Sequence, residues 1–287
     1  MPFVVAAYLL WGLFPAFFPL LDPASPLEIL AHRVIWTAAL VTIFLVFTGS
    51  WRELVTIDRR SWGWLTLASL AITINWGTYV VAITTHHAAD AALGYFINPL
   101  VSVALGVIIL KESLPRLQAL AVGIASIAVM WLTFSTGQVP VLALGLAFSF
   151  AFYGLIKKQV KVSATVSVAA ETLIASPLAL AFVGYLQATE ASTFLKHGLG
   201  HTGLLMVSGL VTALPLILFT RGAKELPLSA IGMMQYMTPT IVLLWAVFVN
   251  QEHMPLARWI GFIFIWIAVI AYCAELLHQR HRRLKLK

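Results

Sequence analysis

Residues 99–115 read PLVSVALGVIILKESLP, and residues 239–255 read PTIVLLWAVFVNQEHMP. Each stretch opens on a proline (Pro99, Pro239), reaches a glutamate (Glu112, Glu252) after twelve residues, and closes on a proline (Pro115, Pro255) after two more. The two copies stand 140 residues apart. The same ungapped offset lays the apolar run at 62–84 over the run at 202–220 and matches Leu70 with Leu210. Identity between the copies is low, but the frame persists. A chain made of two copies of one unit is therefore expected.

Composition says what the unit is made of. Of the 287 residues, 61% are apolar and 10% are charged, against roughly 45–50% and roughly 25% in soluble domains. Mean hydropathy is +0.93. Too little polar surface exists to cover a soluble fold, which excludes a soluble enzyme, a disordered chain and a collagen-like fibre. Ten helical spans are read, at 3–21, 28–48, 62–84, 88–110, 116–134, 139–156, 165–186, 202–220, 228–250 and 255–277. Their length and their lack of period-two alternation mark membrane helices and not barrel strands. Breakers separate them at Asp22-Pro23, Ser25-Pro26, Thr48-Gly49-Ser50, Thr136-Gly137 and Leu226-Pro227. Ten spans of about 20 residues leave no room for an extramembrane domain. No signal peptide is expected, and the single Cys273 offers neither a disulfide nor a metal site.

The net charge of +7 records orientation. Arg52, Arg59, Arg60, Lys111, Arg116, Lys157, Lys158, Lys161, Arg221 and Lys224 fall in alternate connections, and Arg280, Arg282, Arg283, Lys285 and Lys287 in the tail. These are 15 of the 18 basic residues; Lys196 is alone on the other side, and Arg33 and Arg258 lie within spans. The positive-inside rule then puts both termini in the cytoplasm. Five spans per copy is an odd number, so the second copy must lie inverted. The run at 62–84 accordingly ends at Thr85-His86-His87 without Lys or Arg, whereas its counterpart ends at Arg221 and Lys224. Inverted repeats with proline-interrupted helices point to a secondary transporter with its site near the midplane.

Several stretches carry a resemblance: Trp11-Gly12-Leu13-Phe14-Pro15, Glu28-Ile29-Leu30-Ala31-His32-Arg33, Asn75-Trp76, Leu93-Gly94-Tyr95-Phe96-Ile97-Asn98-Pro99 and Gln235-Tyr236. Over nearly its whole length the chain resembles the drug/metabolite transporter superfamily of EamA type, and within it the RarD group, named for chloramphenicol sensitivity. The departure is Met237-Thr238 before Pro239, where Ile-Ala is the group's pattern. The resemblance implies a basket of helices around a central cavity, with the last helix of each repeat peripheral. It also implies outward movement of small metabolites, often amino acids, and supplies no particular substrate.

Ionisable residues inside a membrane are costly and are functional candidates by default. Arg33 and Glu171 are the two, offset by 138. Their depths place them roughly 13 Å apart, too far to pair. Arg33 would attract a substrate carboxylate; alternatively it snorkels outward or pairs with Asp90 or Glu28. Glu171 would carry a coupling proton; alternatively it pairs with Lys157, Lys158 or Lys161. His32 is read as helix packing or as a backbone partner. Asn75 needs a partner, which either another helix or a substrate supplies. Asn98 before Pro99, and Gln235 and Tyr236 before Pro239, flank prolines that either line a cavity or kink the helix. Tyr95 belongs to the same stretch. Among deep tryptophans, Trp11 and Trp76 either pack or stack on substrate. Glu112 and Glu252 are expected to cap their own hairpins. Ala143, Ala147 and Ala151 form a small-residue face for close helix contact.

The expectation is thus an all-α membrane protein: ten transmembrane helices as two inverted five-helix EamA repeats around a central cavity, at 1–134 and 139–277, with a basic cytoplasmic tail at 278–287. It would export a small amphipathic, amino-acid-like metabolite or drug across the inner membrane by alternating access, hinging at Pro99 and Pro239. The alternatives are an uncoupled facilitator or importer, and a receptor or scaffold that binds without transport. No HExxH, GxSxG or P-loop motif is present, so no enzyme is expected. Expected partners are a small-molecule substrate, membrane lipids, a coupling proton and a second copy of the chain. No cofactor, metal or nucleic acid is expected.

Overall fold

The long helices begin where polar caps and prolines dictate. Ser25 Oγ accepts the Glu28 N–H at 3.2 Å, Asp58 Oδ2 accepts the Ser61 N–H at 3.2 Å, and Ser163 Oγ accepts the Val166 N–H at 3.4 Å. Each satisfies a donor that the first turn leaves unpaired. The computed structural model describes residues 1–85, 87–134, 141–251, 253–254 and 256–285. His86, Glu252, Pro255, the Thr136-Gly137 break, the boundary at 134–139 and Lys287 therefore fall wholly or partly outside the described residues. So do the side chains of Asp90, Arg258 and the basic residues from Arg280 to Lys285.

The described residues form helices α1 (Pro2–Gly12), α2 (Phe14–Phe17), α3 (Pro26–Phe47), α4 (Trp51–Val55), α5 (Arg59–Thr84), α6 (Ala88–Ile108), α7 (Arg116–Phe134), α8 (Val141–Lys157), α9 (Ala164–Ala188), α10 (Gly198–Glu225), α11 (Leu228–Gln235), α12 (Met237–Phe248) and α13 (Leu256–Lys285). Among them, eight segments are long and apolar enough to cross a membrane. They are Pro2–Leu21, Pro26–Phe47, Arg59–Thr84, Ala91–Ile108, Ala164–Ala188, Gly198–Glu225, Leu228–Phe248 and Trp259–His278. The fifth and sixth expected spans correspond to two shorter apolar helices, Arg116–Trp131 and Val141–Lys157. The chain is a multi-pass, all-helical membrane protein. Leu40, Ile43, Phe44 and Phe47 stand exposed along α3, as do Leu178 and Leu180 on α9, as lipid-facing helices require.

Two expected spans are interrupted. The first is split after Gly12 into α1, α2 and a 3-10 turn at Phe18–Leu21, where Pro15 and Pro19 withhold backbone donors. The ninth is split at Tyr236, because Pro239 has no N–H for the Gln235 carbonyl one turn back. By contrast α6 runs on through Pro99. The stretch expected as a tail continues α13 in helix to Lys285.

Helices pack across the two halves: α3 against α9 and α10, α5 and α6 against α8, α1 against α10, and α6 against α11. Close approach has visible causes. A Cβ on Gly209 would sit 2.5 Å from the Trp36 carbonyl carbon, and one on Gly232 would sit 2.7 Å from the Pro99 carbonyl oxygen. Ala143, Ala147 and Ala151 are all fully buried on α8. The main core gathers Tyr8, Leu45, Leu65, Tyr153, Val166 and Phe219. A second joins α7 and α13 through Ala121, Ala125, Ala128, Ile265, Ala268 and Tyr272.

Candidate functional site

Helix α3 carries Arg33 into the bundle. The guanidinium donates from Nε to Thr212 Oγ1 on α10 at 2.8 Å. Thr212 can accept because its own hydroxyl proton goes to the Ser208 carbonyl at 2.8 Å. The rings of Phe14, Phe18 and Trp76 lie 5.4, 5.3 and 5.0 Å from the guanidinium carbon. Aromatic faces attract a cation without neutralising it. Among the described residues no carboxylate lies within 4.0 Å of Arg33. Glu28 is otherwise engaged: its Oε1 accepts the Ser192 hydroxyl at 2.9 Å and the Thr193 N–H at 2.7 Å. Asp90, the other partner expected from sequence, has its side chain outside the described residues. Arg33 is 9% exposed. Tyr79 and the half-exposed Tyr95, their ring centres 6.2 Å apart and tilted by 58°, lie within reach of its field.

Glu171 on α9 has different surroundings. Lys157 forms an ion pair with its Oε1. The Ser167 hydroxyl donates to the same oxygen at 2.7 Å, and the Tyr153 hydroxyl donates to Oε2 at 3.1 Å. Lys157 also donates to Ser167 Oγ at 2.7 Å and lies 5.1 Å from the Tyr153 ring centre. Both charges are buried. Of the three lysines weighed from sequence, the partner is Lys157. The two candidate charges make no pair with each other.

The remaining candidates divide between helix contacts and the Arg33 surroundings. Asn75 donates from Nδ2 to the Leu146 carbonyl at 2.9 Å and to Ser149 Oγ at 3.0 Å, tying α5 to α8. Trp76, the next residue, turns the other way onto Arg33. Trp11 sits in a ring cluster with Tyr8, Phe150 and Phe219 at 5.6–5.8 Å. Asn98 is buried and accepts the Ser102 hydroxyl at 3.3 Å. Gln235 is buried at the end of α11. The Tyr236 hydroxyl donates to the Phe96 carbonyl at 3.1 Å, joining the two proline-bearing segments.

One expectation is corrected. Glu112 does not cap its own hairpin. Its Oε1 accepts the Leu228 N–H at 2.6 Å, and its Oε2 accepts the N–H and hydroxyl of Ser229 at 2.9 and 2.7 Å. It therefore caps α11, in the other half of the chain. The reason is that Pro227, the N-cap of α11, brings no side-chain acceptor and leaves the first donors of that helix free. Lys158 lies near this cap and donates to the Leu226 carbonyl at 2.5 Å. Burial holds the Lys158 ammonium below the usual lysine range, against the pull of Glu112. A cleft of about 480 Å³ opens at this end, lined by Gln118, Glu225 and Tyr272. Among the described residues no cluster of metal-ligating side chains occurs.

Sequence reasoning missed Thr212, Tyr153 and Ser167, which decide how each charge is satisfied. Hydroxyls carry no signal of their own in an apolar run. Glu28 had one: Ser25-x-x-Glu28 is a capping-box pattern.

The comparisons with known proteins agree on the kind of molecule. The EamA-like transporter family matches residues 1–134 and again residues 139–273. The chain is 44% identical to Protein RarD of Streptomyces exfoliatus, over 96% of this chain and 88% of that one. It is 40% identical to the uncharacterized transporter YojE of Bacillus subtilis, over 94% and 92%. A protein of known crystal structure superposes with a TM-score of 0.73 at 17% identity, over 94% and 95% of the two chains, and shares the fold.

Proposed function

This chain belongs to the EamA-like transporter family, and from that premise we propose that it is a secondary exporter of a small amphipathic, amino-acid-like metabolite or drug. Ten spans in two inverted five-helix repeats would rock against each other in the inner membrane, with both termini cytoplasmic. The contact between Tyr236 and Phe96 supports the repeat, because the two positions are 140 residues apart. Repeat mates touch only close to the axis that relates them. A reporter active only in the cytoplasm, fused after Lys287, tests the orientation; a silent fusion on a well-inserted protein rejects it.

One observation carries the site: Arg33 is buried among aromatic faces with no carboxylate partner among the described residues. A buried charge lacking a counter-ion is costly unless a ligand supplies one. A carboxylate on Arg33, with its apolar remainder on Trp76 and the Phe14 and Phe18 rings, satisfies both requirements. Tyr95 and Tyr79 would border the substrate, with Asn98, Gln235 and Tyr236 along the path and Trp11 further in. The α11–α12 break before Pro239 is the more obvious hinge, with Pro99 its continuous counterpart. The experiment is a panel of small carboxylates on reconstituted protein, read as solid-supported-membrane currents with and without a pH step. Currents that Arg33→Gln abolishes support this reading. Currents that the variant leaves unchanged reject it.

A second reading, an uncoupled facilitator, is favoured by the closed Lys157–Glu171 pair. A proton on Glu171 requires that pair to open. Substrate accumulation driven by a pH gradient in wild type and lost in Glu171→Gln would favour coupling through Glu171.

A further inference from the structure

The connection between α9 and α10 lies over the start of α3, and one carboxylate holds it there. Glu28 is 1% exposed. Its Oε1 accepts from the Ser192 hydroxyl, the Thr193 N–H and, at 3.4 Å, the Phe194 N–H. Only half of the capping box is made: Ser25 accepts from the Glu28 backbone, but the Glu28 carboxylate turns to this strap instead of back to Ser25. Thr193 is held a second time, by His201 on α10, with Oγ1 and Nε2 2.9 Å apart.

Beneath Phe194 lies His32, one helical turn after Glu28. Their ring centres are 4.7 Å apart and the planes 30° off parallel. His32 is 2% exposed, and neither Nδ1 nor Nε2 has a hydrogen-bond partner. Buried polar groups nearly always find partners, and an exception needs a reason. A further turn along, the Trp36 Nε1 is also unpartnered. Phe194 packs against the buried cluster of Leu21, Ala24 and Leu205, and so does Phe18, one of the rings under the Arg33 guanidinium. The strap and the cage around Arg33 therefore rest on one shared apolar cluster.

We infer that His32 is a proton-binding site that controls the strap: a proton on its ring draws the Glu28 carboxylate away from Ser192, Thr193 and Phe194, and frees the strap beside Arg33. A neutral imidazole with no partner loses only ordinary hydrogen bonds. An imidazolium there has two N–H donors and a full charge, and requires an acceptor. Glu28 is its neighbour at i−4 on the helix face. A charged donor competes well against neutral N–H and O–H donors for the same carboxylate. Among the described residues, the ionisable groups on the elements around it are otherwise engaged. Arg33 is turned onto Thr212. His201 is bonded to Thr193, and His197 stands against His201. At the exposed end of the strap, Lys196 donates to the Glu190 backbone. Helix α9 brings only Glu171, which is paired with Lys157. The inference does not depend on what is carried, or on whether anything is.

The test is amide exchange across residues 189–197 of the full chain in lipid nanodiscs, from about pH 8 to about pH 5, corrected for intrinsic rates. Carbon-13 histidine spectra run alongside, with the His32 signal identified by its ring contact with Phe194. The Thr193 and Phe194 amides are expected to lose protection about tenfold on acidification. The midpoint should coincide with that of the His32 ring. His32→Gln should abolish the pH dependence, and His201→Gln should keep it. Overturning results are a ring that stays neutral throughout, protection that ignores pH, or a pH dependence that survives in His32→Gln or disappears in His201→Gln. If His32→Gln does not fold, the wild-type midpoints decide alone: coincidence upholds the inference and separation overturns it.

Discussion

Glu171 on α9 is met by an ammonium and two hydroxyls, whereas Arg33 on α3, 138 residues earlier, is met by one hydroxyl and three aromatic rings. Both are ionisable residues placed in apolar helices. One is neutralised inside the protein. The other has a polarisable cage that tolerates its charge and leaves the opposite charge to be supplied. The same cost of burial is thus met once by structure and once, in our reading, by a ligand. Unsatisfied charge marks a site better than charge alone.

The largest expected effect lies at the closed pair. Glu171→Ala leaves the Lys157 ammonium buried without a counter-ion, at a cost of about 3–5 kcal/mol. The double variant Lys157→Met, Glu171→Leu should recover most of that loss, since a packed apolar pair replaces a satisfied ionic one. Arg33→Gln should cost only about 1 kcal/mol, the scale of its ring contacts. Denaturation in detergent compares all three. Equal losses at Glu171 and Arg33 would break the contrast between them.

The next effect is on transport. Arg33→Lys keeps the charge but loses the planar fork that stacks on the rings and meets a carboxylate in two places. A drop of about tenfold in transport of whichever carboxylate the panel identifies is expected, with little change in stability. Thr212→Glu is the sharper variant. It offers Arg33 the internal counter-ion that Lys157 gives Glu171, and should block transport while leaving the fold intact. Undiminished transport in Thr212→Glu would show that the Arg33 guanidinium is not the anion site.

The all-helical course of the chain was legible because it rests on quantities that survive in a bare sequence. Runs of apolar residues, breakers such as Leu226-Pro227 and the frame of Pro99 and Pro239 locate the helices to within a few residues. The site was legible only in its charged members. That Arg33 and Glu171 would be buried charges in need of a partner follows from where they sit in apolar runs. Ser167 lies four residues before Glu171 on the same helix, but Thr212 and Tyr153 meet their charges only once α10 and α8 are packed. The two proline segments behave differently for the same kind of reason. α6 continues past Pro99, while the chain breaks at Tyr236, whose side chain is held by the Phe96 carbonyl.

Asn75 stands between the two charges in kind, and a smaller effect is expected there. Its Nδ2 is taken up by Leu146 and Ser149, as Glu171 is taken up by Lys157. Asn75→Ala should cost about 1–2 kcal/mol through the loss of both α5–α8 hydrogen bonds and leave the apparent substrate affinity unchanged. A raised KM at normal stability would move Asn75 from the α5–α8 contact to the substrate site.

The smallest effect is expected at Glu112, where a carboxylate is satisfied by the end of a helix instead of by a cation. Glu112→Ala removes the acceptor for Leu228 and Ser229, and should cost about 1 kcal/mol, the usual worth of a cap. Glu112→Gln keeps one acceptor oxygen and should lose about half of that, because the charge and the second acceptor are gone while one bond to the helix N-terminus remains. The cap joins the first half of the chain to the second. If its role is more than stability, the Gln variant should also change how readily labels report opening between α6 and α11, with Cys273→Ser as background. Labels that respond equally in wild type and Glu112→Gln assign the residue to helix capping alone.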